Sequence, residues 1–359
     1  MPDKAAARAP FLMAGGGSGG HVVPALAVAR ELRRRGYDVF FVGTERGLES
    51  KLVPAAGFEL KKIDIGGLNR VSARRRLSTL VRLPFATIGS MNYRTSAVFS
   101  MGGYVAGPPV LAALAKRVPV VVMEPNAIPG FTNRAIGRLA ARALISFRET
   151  AQYFAWGRSE LTGLPVREEF FAIQPKPRGD TLNLLITGGS QGARTLNRAS
   201  RESWPLFRAA GFPIRIVHQC GVSGLEEMQL AFAESGLEGE VTPFLADMPA
   251  AFAEADLVVS RSGAGAVSEL AAASKPAILV PFPFAANDHQ ARNAEAIVRG
   301  GAARLALDAE LNGERLYMLV RALAETEGEL ERMAAAARQF AHPGAAARAA
   351  EVLEEVAAW

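Results

Sequence analysis

The residues best suited to chemistry begin with His21. It closes a run of six small residues, GGGSGG (Gly15–Gly20), and opens a helical stretch, Val22–Arg35. The positive end of that helix favours a neutral imidazole, which beside an anion cradle suits a general base for a sugar or alcohol hydroxyl. A helix-start histidine that only bonds nearby backbone fits the same letters. In the loop MEPNAIPGFTNR (Met123–Arg134), Glu124 or Asn126 is placed to orient an acceptor hydroxyl, with Asn133 further along. A turn rich in Asn and Pro without function reads alike. Glu269, inside RSGAGAVSEL (Arg261–Leu270), is a carboxylate able to accept both hydroxyls of a ribose. Its spacing from a Gly-rich turn sets it apart from an ordinary solvated helix charge. DHQARN (Asp288–Asn293) offers Gln290 to sugar hydroxyls, while Asn287 or Asp288 there also reads as a helix cap.

These groups need elements that aim them, and the chain supplies one such unit twice. Phe11–Ala14 feeds GGGSGGH, and Asn183–Thr187 feeds GGSQGAR (Gly188–Arg194), each followed by a helical stretch. A strand that ends in glycines and opens a helix points backbone N–H groups and the helix dipole at one spot, a site for an anion. Gly15, Gly17 and Gly20 satisfy the dinucleotide spacing G-x-G-x-x-G. That fingerprint also asks for an acidic residue after the second strand, where VGTERG offers only Glu45 as a weak candidate.

Short apolar strands alternate with helices in both halves: DVFFVG, PVVVM, LVVS and PAILV are strands, Val110–Lys116 and Ala266–Ala273 helices. This order predicts parallel βαβ units in two similar halves. The stretch LPVREEFFAIQPKP (Leu164–Pro177), with three prolines, marks the boundary, and Arg167 there is a candidate to meet leaving-group charge.

At 359 residues the chain suits two domains, and 49% hydrophobic with 21% charged residues is globular. Its apolar runs are too short to cross a bilayer, Phe11–Ala14 is strand-length rather than a signal core, and the single Cys220 fits a reducing cytoplasm. The net charge of +6 divides unevenly: residues 1–165 carry 23 basic and 10 acidic side chains, or +13, leaving −7 for the rest. Nucleic acid lacks a recognition signature here. An anionic membrane surface fits better, because Ser72–Ile88 sets Leu77, Leu80, Val81, Pro84, Phe85 and Ile88 at helical spacing beside Arg74, Arg75, Arg76 and Arg82. An ordinary core-facing helix competes with that reading. Four separated histidines and no D-x-D motif give no metal site.

Taken in order, GGGSGGH, SMGGYVAGP, EPNAIPGFTNR, GLPVR, GGSQGARTLN, RSGAGAVSE and DHQARNA resemble the motif series of the MurG family across nearly the whole chain. Those transferases move N-acetylglucosamine (GlcNAc) from UDP-GlcNAc to the C4 hydroxyl of the muramyl sugar in lipid I, forming lipid II. The resemblance implies an α/β chain of GT-B type, two doubly wound Rossmann-like domains facing a central cleft. It further implies inversion at the anomeric carbon, no metal or other cofactor, and peripheral attachment to the cytoplasmic face of the inner membrane. Residues 1–165 would bind acceptor and membrane, 166–341 would bind UDP-GlcNAc, and a helix at about 342–359 would return to the first domain. By motif, Ser18, Gly19 and Gly20 meet donor or acceptor phosphate, Asn126 the donor sugar, and Arg167 and Ser190 the diphosphate. Leu245 with Ala264, Gly265, Ala266, Val267, Ser268 and Glu269 frame the uridine, and Gln290 reads the GlcNAc hydroxyls. His21 matches the proposed base, with Glu124 the less favoured one. Met123 and Leu164 stand where the family commonly has His and Asn. A related transferase for another lipid or natural product, a nicotinamide or flavin oxidoreductase, and a UDP-sugar-binding scaffold are the competing readings.

Overall fold

The computed structural model describes residues 9–66 and 73–358, with backbone alone for residues 73–78 and 80. Two compact units result: residues 1–166 with 344–359, and residues 167–343.

In the first unit, β1 (Phe11–Gly15), α1 (Gly19–Arg34), β2 (Val39–Gly43), α2 (Glu49–Ala55) and β3 (Glu59–Lys62) are followed by α3 (Ala73–Met91). Then come β4 (Val98–Gly102), α4 (Gly103–Ala115), β5 (Val120–Glu124), α5 (Phe131–Ile136), β6 (Arg142–Ile145) and β7 (Ser159–Leu161). The seven strands form one parallel sheet ordered β3-β2-β1-β4-β5-β6-β7. Helices cover both faces of such a sheet, so β1 reads as an unbroken apolar run and β4 and β5 depart from one only at Ser100 and Glu124; all five residues of each are buried. The edge strand β3, ELKK, is charged, which discourages pairing with another chain.

The second unit runs α6 (Glu168–Phe171), β8 (Leu182–Thr187), α7 (Arg194–Ala209), β9 (Ile214–Gln219), α8 (Leu225–Ser235), β10 (Glu238–Thr242) and α9 (Met248–Glu254). It continues with β11 (Leu257–Ser260), α10 (Ala264–Ala272), β12 (Ala277–Leu279), α11 (His289–Arg299), β13 (Ala303–Leu305), α12 (Gly313–Glu325) and α13 (Glu329–Arg338). Its parallel sheet is ordered β10-β9-β8-β11-β12-β13, and its core gathers Leu184, Ile186, Trp204, Phe207, Ile216 and Leu316. In each sheet the order reverses beside the first strand, between β1 and β4 and between β8 and β11. Ligands of doubly wound sheets bind at that reversal, outside the carboxyl ends of the strands.

The last helix, α14 (Ala345–Ala357), belongs to the first unit and packs on α1. Ala349, Ala350, Val352 and Leu353 are fully buried. Arg35 reaches Glu354 at 2.9 Å, and Arg348 reaches Glu160 at 2.6 Å.

Two boundaries differ from the sequence reading. Helix α1 starts within the glycines at Gly19, and α4 starts at Gly103, so its Pro108 and Pro109 lie inside the helix rather than before it. Of the basic amphipathic stretch, Ser72 and the side chains of Arg74, Arg75, Arg76, Leu77 and Leu80 lie outside the described residues. Val81, Phe85 and Ile88 of α3 are exposed, at 58%, 72% and 62%.

Candidate functional site

In the first unit the Gly15–Gly20 turn leaves β1 beside Gly102 and Gly103 at the end of β4. Gly103 has φ +75°, and a Cβ there would lie 3.2 Å from the His21 ring. A Cβ on Gly102, at φ +78°, would lie 2.9 Å from the Asn133 amide. The two glycines of SMGGY therefore let the backbone close on both side chains. His21 is partly buried, and its Nδ1 stands 3.1 Å from the Gly16 carbonyl. A carbonyl only accepts, so in the neutral ring Nδ1 carries the proton and Nε2 holds the lone pair. Ser18 and Gly20 are exposed and Gly19 is partly exposed, at the start of α1.

Glu124 is buried at the end of β5. It is 1% exposed and accepts hydrogen bonds from Asn133 Nδ2 at 2.9 Å, Asn126 N at 3.0 Å, Asn126 Nδ2 at 3.1 Å and Gly130 N at 3.1 Å. Burial pushes its carboxyl above the usual range, against the pull of those donors. Its geometry shapes the 124–133 loop and presents the partly exposed Asn126. Met123, buried in β5, keeps its side chain in the core.

The acidic residue that serves the first turn is Glu49, not Glu45. Glu45 is exposed and pairs with Lys62 at 2.8 Å. Glu49 is fully buried and accepts from Gly17 N at 2.7 Å, Thr44 N at 2.9 Å and Thr44 Oγ1 at 2.8 Å. Burial raises its carboxyl and these bonds outweigh it, leaving the group below its ordinary value. The sequence signal lies in VGTERGLE, four residues past Glu45.

In the second unit the turn after β8 packs bare backbone on the end of β9. A Cβ on Gly192, at φ +70°, would fall 2.0 Å from the Cys220 carbonyl, and one on Gly221 would fall 2.7 Å from Gln191 backbone. Ser190 is exposed at the tip. Asn197, passed over in the sequence, locks this corner: its Nδ2 donates to Cys220 O at 2.9 Å, and its Oδ1 lies 3.2 Å from His218 Nε2. Burial drives His218 down to about 3, so it stays neutral and structural.

Across the sheet reversal, α10 opens at Ala264, with Ala264, Gly265, Ala266 and Ser268 partly exposed and Val267 in the core. Glu269 is partly buried one turn in. Burial lifts its carboxyl to about 7, while the charge of Arg167 pulls the other way. The fold thus brings Arg167, at the start of α6, to bear on Glu269. Gln290 is partly exposed in the first turn of α11, its Oε1 accepting Phe282 N–H at 2.9 Å. Asp288 precedes α11 in a left-handed conformation at φ +55°, and its side chain makes no cap bond. Leu245 is partly exposed in the loop after β10. Arg261 and Asp308 form a half-buried ion pair; Thr195 Oγ1 donates to Asp308 at 2.9 Å, and Arg261 also holds Val280 O at 3.1 Å. That network ties the start of α7 to the loops after β11 and β12, and Asp308 was not legible as part of it.

Models of the glycosyltransferase family 28 N-terminal and C-terminal domains match residues 11–145 and 183–349. The chain belongs to glycosyltransferase family 28. Within family 28 it is 68% identical over 351 residues to a Solibacter usitatus protein, covering 97% of this chain and 96% of that one. That relative is named UDP-N-acetylglucosamine–N-acetylmuramyl-(pentapeptide) pyrophosphoryl-undecaprenol N-acetylglucosamine transferase. A protein of the same name from Anaeromyxobacter sp. strain Fw109-5 is 42% identical, over 96% of this chain and 93% of its own. Acinetobacter baumannii MurG superposes with a TM-score of 0.81 at 33% identity, over 97% and 99% of the two chains. The two-domain α/β fold of GT-B type is therefore that of this chain. The glycosyltransferase of kitacinnamycin shares the fold at a TM-score of 0.75 and 20% identity, over 97% and 99%.

Proposed function

We propose that this chain transfers GlcNAc from UDP-GlcNAc to the C4 hydroxyl of the muramyl sugar of lipid I, forming lipid II with inversion at the anomeric carbon. The similarity in sequence to transferases of that name supports the substrates. The observation that carries the mechanism is the His21 Nδ1–Gly16 carbonyl contact, which sets the lone pair on Nε2. His21 Nε2 takes the proton of the acceptor hydroxyl, whose oxygen attacks the anomeric carbon as UDP departs. Amides of Ser18, Gly19 and Gly20 hold the acceptor phosphate on the first unit. On the second, Ser190, Arg167 and the start of α10 meet the leaving diphosphate, Glu269 accepts the ribose hydroxyls, and Leu245 lies against the base. Gln290 and Asn126 contact the GlcNAc.

An anionic membrane surface is the second partner, at the cytoplasmic face of the inner membrane. Among the described residues no helix is long and apolar enough to cross a membrane. The exposed Val81, Phe85 and Ile88 of α3 instead suit lying in the interface, beside Arg82. An apolar cavity of about 140 Å³ lies alongside, lined by Ile65, Leu83, Tyr104, Leu111 and Phe131.

Transfer of radiolabelled GlcNAc from UDP-GlcNAc to a lipid I analogue, with and without EDTA, tests the reading. A β-linked product insensitive to EDTA is expected. No product, with UDP-GlcNAc still bound, would move the assignment to another lipid or natural-product acceptor.

A further inference from the structure

We propose that Glu49 is a positioning residue for His21, acting through the peptide bond between Gly16 and Gly17. The N–H of that peptide, on Gly17, donates to Glu49 Oε2 at 2.7 Å. The carbonyl of the same peptide, on Gly16, accepts from His21 Nδ1 at 3.1 Å. Carboxylate, peptide and imidazole thus form one chain of hydrogen bonds. An anion bound at the N–H end polarises the peptide and makes its carbonyl a stronger acceptor. The carbonyl then holds the ring in the Nδ1–H tautomer and stabilises the imidazolium formed when Nε2 takes a proton. Acid–histidine–nucleophile triads use a carboxylate directly for the same two tasks. Here a peptide group stands between.

The surroundings are built for this contact. Thr44 holds the other carboxylate oxygen through both its N–H and its hydroxyl, at 2.9 and 2.8 Å. These partners are neutral, so the charge of Glu49 is left to act on the peptide. A Cβ on Gly16 would come within 2.5 Å of the carboxylate carbon, one on Gly47 within 2.0 Å of Oε2, and one on Gly43 within 2.5 Å of Glu49 Cγ. Glycines at these three positions leave the carboxylate its place under the turn. From the far side Gly103 lies against the ring itself.

The inference rests on the reading of His21 as the base, and its test is chosen to survive the loss of that reading. NMR of the histidine rings follows the tautomer and titration of His21 in the wild type, Glu49→Gln, Glu49→Asp and Tyr104→Phe; His21→Gln assigns the signal. Tyr104 is included because its ring lies 3.3 Å from where a Gly17 Cβ would stand. In Glu49→Gln the His21 midpoint should fall and its Nδ1–H population shrink, with Asp partly restoring both. The acidic limb of kcat/KM should move to lower pH with the midpoint. kcat should drop about tenfold, part of the roughly 10²–10⁴ that a positioned base supplies, while the KM for UDP-GlcNAc stays put.

A variant that is merely less stable, with the His21 titration, tautomer and acidic limb unmoved, overturns the proposal. So does a shift carried by Tyr104→Phe instead. Should Glu49→Gln fail to fold, the wild type decides: a Gly17 amide proton shifted downfield with His21 protonated at Nδ1 is expected, and an ordinary amide with the Nε2–H tautomer refutes it. Wild-type protein that transfers nothing to lipid I would remove the assigned reaction and leave the NMR result standing.

Discussion

The side-chain oxygen of Gln290 accepts the Phe282 backbone N–H at 2.9 Å, which leaves its NH2 group as the donor it offers a ligand. A sugar bound here is met by a donor. Gln290→Glu keeps an oxygen for Phe282 and deletes that donor. The KM for UDP-GlcNAc should rise about tenfold, the loss of one good hydrogen bond, while the affinity for UDP alone stays unchanged. Steady-state kinetics and calorimetry with the two ligands check it.

Replacing His21 by Ala removes the group assigned as base. Turnover should fall roughly 10²–10⁴-fold with UDP-GlcNAc affinity intact. Normal turnover in a transfer assay would take the base assignment away from His21.

Glu269 gives a pH signature of known sign. Its folded value near 7 lies above the ordinary value of 4.5, so the folded state holds a proton that the unfolded chain releases. Stability of the ligand-free protein should therefore fall as pH rises from about 4.5 to about 7 and level off above. Glu269→Gln should flatten that slope in thermal denaturation. With the ribose hydroxyls on the ionised carboxylate, as proposed, UDP affinity should rise with pH through the same value. Calorimetry in buffers of different ionisation enthalpy should detect proton release on binding.

Leu353 of α14 is fully buried in the first unit. Leu353→Ala should cost about 2–5 kcal/mol in chemical denaturation. The exposed Glu355→Ala, which loses one ion pair to Arg348, should cost under about 1 kcal/mol. Equal costs for the two would mean that α14 is held by charge rather than by packing.

Phe85, 72% exposed on α3, tests the membrane surface. Phe85→Asp should weaken binding to vesicles containing anionic lipid by about tenfold or more, the loss of a buried ring plus a repelled charge, in a sedimentation assay. Turnover of a water-soluble acceptor should not change. Equal vesicle binding by both proteins would place the contact elsewhere.

What the sequence determined by itself was whatever short spacing encodes. Apolar runs of four to six residues before Gly-rich turns specify buried parallel strands opening helices, because only glycine allows the close approaches at Gly103 and Gly192. Those local rules gave the two doubly wound halves, the order of the motifs and the neighbourhood of His21, Glu269 and Gln290. What they could not supply was which polar group each carboxylate meets. Glu124 and Glu49 look alike as letters, yet one is spent on its own loop and the other lies 32 residues from the glycine whose N–H it takes. Arg167 acts on Glu269 only because α6 packs on α10, and Arg261 meets Asp308 only because the loops after β11 and β13 leave the same end of one sheet, with β12 between them. Hydrogen bonds and burial act over a few ångströms of space rather than along the chain, so tertiary structure alone decided these pairings.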